Sequence, residues 1–280
     1  MRASKLWALA PLLALGLSAQ GADFQRSAIP GWTLALQAWT FNSKTVCEVI
    51  DKAKELGIQY IECFPGQKVS KDIQTGFGPG MDEAATKAVK DKLAETGCHI
   101  IAFGVTGIPG DEKGVRSMFE WAQSWGIRTI NTEIHRDQFP VVDRLAEAYG
   151  IKIGLPNHPK PSYYWDPAFL LKEVQGFNFI GACADTGHWP RSGIQPLDAI
   201  KLLAGHISSL HFKDLDANKK DAPWGTGLGQ AREILEELKH QGFKGNFSIE
   251  YENWDPGQEE AVGKCVAWWF KTVAEIAAEK

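Results

Sequence analysis

The segment KELGIQYIECF, residues 54–64, closes a charged, amphipathic stretch at Gly57 and passes at once into a β-rich run. A glycine directly after a helix is the residue that ends it in the left-handed conformation. The β-branched and aromatic text behind it favours a strand. The same order returns in AETGCHIIAFGV around Gly97, SWGIRTINTEI around Gly126, AYGIKIGL around Gly150 and HQGFKGNFSIEY around Gly242, with a looser copy in LAGHISSLHF around Gly205. The copies lie about 25–40 residues apart, the length of one strand–helix unit. In TVCEVIDKAKEL, residues 45–56, the apolar residues Val46, Val49, Ile50, Ala53 and Leu56 recur at helical spacing. Eight runs read as strands: LALQAWTF, QYIECF, HIIAFGV, TINTEI, KIGLP, IGACAD, SSLHF and FSIEY. Eight strands alternating with helices over residues 23–280 predict an α/β fold, a single-domain (β/α)8 TIM barrel. An open doubly wound sheet is the rival, but no GxGxxG text follows the first strand.

Composition narrows the class further. Hydrophobic residues make up 44% and charged residues 23% of the 280, which excludes a disordered or fibrous chain. A net charge of −4 offers no basic field to nucleic acid or to anionic lipid, so neither is expected as a partner. Eleven Trp residues suit a packed core and equally the wall of a carbohydrate cleft. Residues 1–22, MRASKLWALAPLLALGLSAQGA, have the order of a secretory signal: Arg2 and Lys5, an apolar run from Leu6 to Leu17, then small residues. That run is shorter than the roughly 20 residues a membrane-spanning helix needs. The expectation is an exported, periplasmic or extracellular protein with no membrane association once the signal is removed. The five cysteines, Cys47, Cys63, Cys98, Cys183 and Cys265, form no CxxC pair and read as buried single thiols.

In a barrel of this kind the chemistry is carried at the carboxyl ends of the strands. Here those ends supply Glu62, then Glu133 and His135, Asn157 and His158, Asp185 with His188 three residues on, His211 with Lys213 and Asp214, and Glu250 with Glu252. Strands one and three end in apolar or glycine-containing text. A period of two puts Glu133 with His135, His211 with Lys213, and Glu250 with Glu252 on shared faces. Should Glu133, Asp185, His211 and Glu250 all point to the axis, three carboxylates and an imidazole converge. Such anions repel strongly unless a cation joins them. One divalent metal ion is therefore expected, and ligands without thiolate suit Mn²⁺, Mg²⁺, Co²⁺ or Zn²⁺.

The ordered motifs IECFPG, LPNHP, DTGHW, LHFKD, PWGTGLG and FSIEYE resemble the xylose isomerase-like barrels, the sugar isomerase/epimerase group, over roughly Gly31 to Ala278. The resemblance implies metal ligands at Asp185, His211 and Glu250, a substrate-binding role for His188, and a small carbohydrate as substrate. Where the family usually has a strand-five glutamate this chain has Pro156, which cannot bind a metal. Glu133 and His158 are the candidates for the missing ligand. The same change removes a carboxylate that the epimerases use as acid or base. An exported branch with similar text includes lyases and hydratases acting on 3-keto-glycosides, and the leader favours it.

The chemistry implied is proton abstraction next to a carbonyl, with the enediolate stabilised by the metal. Glu250, Glu133, His188 and Lys213 are the candidate acids and bases, and a neighbouring cation is expected to lower the Lys213 pKa. Glu62, Trp39, Trp165, Trp189 and Trp224 are candidates for substrate contact. Asn218–Gly229, with its charges, proline and glycines, is expected to form a mobile lid. His99, His206 and His240 are expected to be structural. The alternatives are a sugar-binding barrel without turnover, for which Pro156 speaks, and a phosphodiesterase, which the negative charge and export signal oppose. Self-association into a homo-oligomer is left open.

Overall fold

The computed structural model describes residues 24–279, so the signal expected over residues 1–22 lies outside the described residues. Eight parallel strands close into a barrel: β1 (Trp32–Gln37), β2 (Tyr60–Cys63), β3 (His99–Thr106), β4 (Thr129–Thr132), β5 (Lys152–Pro156), β6 (Ile180–Asp185), β7 (Ile207–Phe212) and β10 (Gly245–Ile249). Between β7 and β10 a small antiparallel ribbon joins β8 (Asp214–Leu215) to β9 (Asp221–Ala222). The helices are α1 (Val46–Glu55), α2 (Glu83–Thr96), α3 (Glu112–Ser124), α4 (Phe139–Tyr149), α5 (Pro167–Val174), α6 (His188–Arg191), α7 (Pro196–Leu202), α8 (Ala231–His240) and α9 (Gln258–Ala278).

Local chemistry sets the element boundaries. Thr45 caps α1 in a reciprocal box with Glu48, while Asp82, Asp111 and Asp166 cap α2, α3 and α5 through side-chain oxygens. Gly57, Gly97, Gly126, Gly150, Gly205 and Gly242 all adopt φ between 65° and 79°, the helix-ending conformation expected of them. Val46, Val49, Ile50 and Ala53 form the buried stripe of α1. Trp269, in α9, and Trp32, in β1, are buried with Phe247 in the shell between barrel and helices.

Three expectations are corrected. The first strand stops at Gln37, because the Gln37 side chain accepts a hydrogen bond from Trp39 N and turns Ala38–Phe41 into a 3-10 helix. TINTEI is strand only to Thr132 and FSIEY only to Ile249, so Glu133 and Glu250 stand just beyond their strands. Residues 218–229 are not a loose lid. Asp221 and Ala222 pair in the ribbon, Trp224 is buried, and the Asp214 carboxylate accepts hydrogen bonds from the backbone N–H groups of Gly225, Gly227 and Gly229. A Cβ at Gly227 would collide with that carboxylate, which is why the cradle is glycine-rich.

The barrel interior is unusually polar. Ser209 donates to Asn131 Oδ1, Asn131 donates to Glu62 Oε1, and Asn246 donates to the Ser248 hydroxyl. A Cβ at Gly154 would strike Asn131, Cys183 and Ser209, so only glycine fits β5 at this level. All five thiols are free, and Cys63, Cys98, Cys183 and Cys265 are buried as expected, whereas Cys47 is only half-buried.

Candidate active site

Register brings the chemistry together. Asp185 lies beside His211 in the β6–β7 pairing, and His211 lies beside Ser248 in the β7–β10 pairing. Neighbours at one level of a parallel barrel face the same way, and Glu250 is two residues beyond Ser248 on the same face. Asp185, His211 and Glu250 therefore converge, each buried, with one ligand atom apiece within 4.8 Å of the others.

Beneath them Glu62 is fully buried and wholly engaged. Its Oε1 lies 2.9 Å from His211 Nε2 and 2.6 Å from Asn131 Nδ2, and its Oε2 accepts from Ser248 Oγ at 2.5 Å. The other ring nitrogen, His211 Nδ1, is 3.2 Å from Glu250 Oε2. Burial disfavours an imidazolium here, yet the surrounding groups, Glu62 and Glu250 among them, more than offset it and raise the His211 pKa well above its ordinary value. Glu62 thus orients His211 and does not line the cleft, which corrects its expected role in substrate contact.

Lys213 is the cation of the cluster. Its Nζ lies 2.9 Å from Asp185 Oδ2, 2.9 Å from Glu250 Oε2 and 2.8 Å from Glu252 Oε2. The stem passes over Gly187, where a Cβ would come within 2.8 Å of Lys213 Cδ. Burial works against the ammonium, but Asp185, Glu250 and Glu252 outweigh it and raise the pKa. In place of the expected lowering, the three carboxylates around Lys213 hold it as an ammonium. Burial likewise opposes ionisation of Asp185 and Glu250. Neighbouring groups, His188 and Lys213 for Asp185 and Lys213 and His211 for Glu250, nonetheless hold both below the usual carboxylate range.

A second layer was not foreseen. Arg191 reaches Asp221 at 2.8 Å and Glu252 at 3.2 Å, and it donates to His188 Nδ1 at 3.0 Å. That leaves the His188 Nε2–H facing Asp185 Oδ2 at 3.4 Å. Burial pushes His188 down to about 4 and Asp221 up to about 6. Gln37, Asn131, Ser248, Arg191 and Asp221 were all missed. Ser248 stands two residues before Glu250, a period-two signal that was available, whereas no spacing joins residues 191, 221 and 252.

Above the cluster opens a cleft of about 440 Å³, lined by Gln37, Trp39, Phe64, Pro65, Gly104, Val105, His158, Glu250 and Glu252. Trp39 and Phe64 meet edge to face at 5.1 Å and form its apolar wall. Trp189 and Trp224 do not line it: both are buried, Trp224 against Phe212 and Trp268, so neither offers a face to a sugar. Trp165 instead lies under the Lys160 ammonium. Glu133 does not join the Asp185 cluster. Its carboxylate turns to His158 Nδ1 at 2.8 Å, while His135 is exposed and stacks edge-on with Tyr163. The expectation that Glu133 or His158 completes the ligand set is therefore not met in this geometry, and Pro156 offers no donor from β5.

Two carboxylates and one imidazole converging without thiolate fit a divalent cation. Among the described residues this is the one such group of three His, Cys, Asp or Glu.

Fold and site together define a (β/α)8 barrel with a buried acid–imidazole centre at its carboxyl mouth. A family model described as xylose isomerase-like TIM barrel matches residues 50–272, and the chain belongs to that family. An uncharacterized protein from Parabacteroides distasonis ATCC 8503 is 29% identical, with 86% of this chain and 98% of that one covered and a TM-score of 0.67. A sugar phosphate isomerase/epimerase from the same organism is 15% identical, with 92% and 99% covered and a TM-score of 0.64. A D-allulose 3-epimerase from Methylomonas sp. is 15% identical, with 91% and 95% covered and a TM-score of 0.60. At these identities the latter two attest the fold. No curated protein matches the chain.

Proposed function

We propose that the protein is a divalent-metal-dependent enzyme that removes the proton from a carbon next to a carbonyl on a keto-sugar or keto-glycoside. The observation that carries this reading is the convergence of Asp185, His211 and Glu250 at the ends of β6, β7 and β10. Asp185, His211 and Glu250 would hold the cation, Mn²⁺, Mg²⁺, Co²⁺ or Zn²⁺, which would supply Lewis-acid stabilisation of negative charge developing on the substrate oxygen. Lys213, with its three N–H groups directed at Asp185, Glu250 and Glu252, fixes the carboxylates before substrate arrives. Trp39 and Phe64 offer an apolar face to the sugar, and the open cleft leaves room for it beside Glu250 and Glu252. The names of the similar epimerases support sugar isomerisation or epimerisation as the reaction class.

Elimination or hydration of a 3-keto-glycoside is the second reading. Pro156 favours it, because β5 brings no carboxylate to the site and a two-carboxylate epimerisation lacks one of its groups. The leader-like text of residues 1–22 supports an exported protein in either case. The test is to incubate metal-loaded protein in D₂O with fructose, tagatose, psicose and methyl 3-keto-glucoside and to follow carbon-bound protons by NMR. Deuterium entering at a carbon flanking the carbonyl is expected. Binding of these sugars with no exchange in any of them would instead leave a sugar-binding barrel.

A further inference from the structure

If a carbon acid is deprotonated in this cleft, a base must face it, and most of the obvious groups are occupied. Glu250 meets both His211 and Lys213, Glu252 meets Lys213 and Arg191, and Glu62 is sealed beneath His211. His188 has one nitrogen on Arg191 and the other toward Asp185. His158 differs. It lines the cleft with Glu250 and Glu252, and its Nδ1 lies 2.8 Å from Glu133 Oε1. An ionised carboxylate only accepts hydrogen bonds, so Nδ1 carries the proton, and in the neutral imidazole Nε2 presents a lone pair. Among the described residues no hydrogen bond engages that Nε2.

The imidazole is also firmly mounted. Neighbouring Asn157 is clamped to the backbone of Asp185, accepting from its N at 2.7 Å and donating to its O at 2.9 Å. Ser162 Oγ donates to the His158 carbonyl at 2.6 Å. Pro156 pairs with Cys183 in the β5–β6 register, so His158, two residues past the end of β5, follows the strand next to the one that ends in Asp185. The imidazole, its ring centre 5.6 Å from that of His188, lies beside the acid–imidazole centre without belonging to it.

We propose that His158, oriented by Glu133, is the base that takes the carbon-bound proton, an assignment that rests on the function proposed above. The C–H bond breaks, its proton goes to Nε2, and its electron pair forms the enediolate double bond as the carbonyl oxygen becomes the oxyanion. Nδ1–H stays on Glu133, which stabilises the imidazolium. Return of a solvent-exchanged proton from Nε2 to carbon completes the exchange with no change of oxidation state. His158 is then the catalytic residue and Glu133 its positioning residue.

The test uses His158→Ala, His158→Gln and Glu133→Gln in the full chain, with deuterium exchange into whichever ketose the wild type exchanges and Mn²⁺ titration of each variant. Both His158 variants are expected to lose about 100-fold or more of the exchange rate, within the range typical of general acid–base catalysis. Their Mn²⁺ affinity is expected to stay within a few-fold of wild type, and added imidazole to restore part of the rate in His158→Ala alone. Glu133→Gln is expected to lose less, about tenfold. Exchange within tenfold of wild type in both His158 variants overturns the assignment. So does loss of exchange together with Mn²⁺ binding, which would make His158 a ligand, and so does a loss that imidazole leaves unrepaired. A wild-type protein that exchanges neither the ketoses nor methyl 3-keto-glucoside defeats the proposed function itself, and is thereby told apart from failure of the base alone.

Discussion

The Nζ of Lys213 lies 2.9 Å from Asp185 Oδ2, with both side chains withdrawn from solvent. Removing one member of a buried ion pair typically costs about 3–5 kcal/mol, because the other charge is left uncompensated. Lys213→Met is therefore expected to be markedly less stable than wild type without metal. Saturating Mn²⁺ should recover more of the melting temperature in the variant than it adds to the wild type, since the cation then replaces the lost ammonium. Paired thermal melts with and without Mn²⁺ measure this; equal metal-induced shifts in the two proteins would contradict it.

Glu62 holds His211 at Nε2 while Nδ1 is left toward Glu250. A carboxylate behind a metal-binding imidazole fixes its tautomer and raises its basicity, and losing it costs typically 10–100-fold in metal affinity. Glu62→Gln is expected to weaken Mn²⁺ binding by that order, read by calorimetric titration. Unchanged affinity would reduce Glu62 to filling the barrel interior.

Gly187 is not required by its backbone, which sits in the right-handed region with φ −93° and ψ −30°, but by the Lys213 stem passing over it. Gly187→Ala is expected to displace Lys213 and to destabilise the fold by about 1–3 kcal/mol, the usual cost of overpacking. Denaturant melts should show the loss, and deuterium exchange into substrate should fall with it. A neutral substitution would show that the stem moves aside freely.

The α1 cap makes a pH-dependent contribution. The Thr45 backbone N–H, with Lys71 beside it, holds the Glu48 carboxyl down to about 2. A carboxyl depressed in the folded state stabilises above its unfolded value of about 4.5, and that contribution is lost as pH falls toward 2. Glu48→Gln is accordingly expected to be less stable than wild type at pH 6, with the gap in melting temperature closing between pH 4.5 and 2.5. Thr45→Ala should cost about 1 kcal/mol at neutral pH. A gap between wild type and Glu48→Gln that does not change with pH would contradict the role of the ionised carboxyl.

The barrel was readable because its signal is local and repeated: a glycine at each helix end, then a short β-rich run. Asp185, His211 and Glu250 were readable because strand period and strand-end position agree for them. Glu133 failed the same rule although, like Glu250, it stands one residue past its strand: its carboxylate is drawn aside to His158 Nδ1 at 2.8 Å, a contact between separate segments. The indoles of Trp189 and Trp224 look alike in sequence whether they face a sugar or the core, and only packing against Phe212 and Trp268 decides for Trp224. The glycines of residues 218–229 suggested mobility, yet they serve close approach to Asp214. The Arg191–Asp221–Glu252 contacts join three separate segments, and no local pattern announces such a meeting.

Mn²⁺ titration of the metal-stripped protein, followed by electron paramagnetic resonance, probes the acid–imidazole centre itself. One tight site per chain is expected in the wild type, and its signal should vanish in Asp185→Ala and in His211→Ala while His158→Ala keeps it. A wild type that binds no Mn²⁺, Mg²⁺, Co²⁺ or Zn²⁺, or a site that survives both Asp185→Ala and His211→Ala, would contradict a cation at this centre.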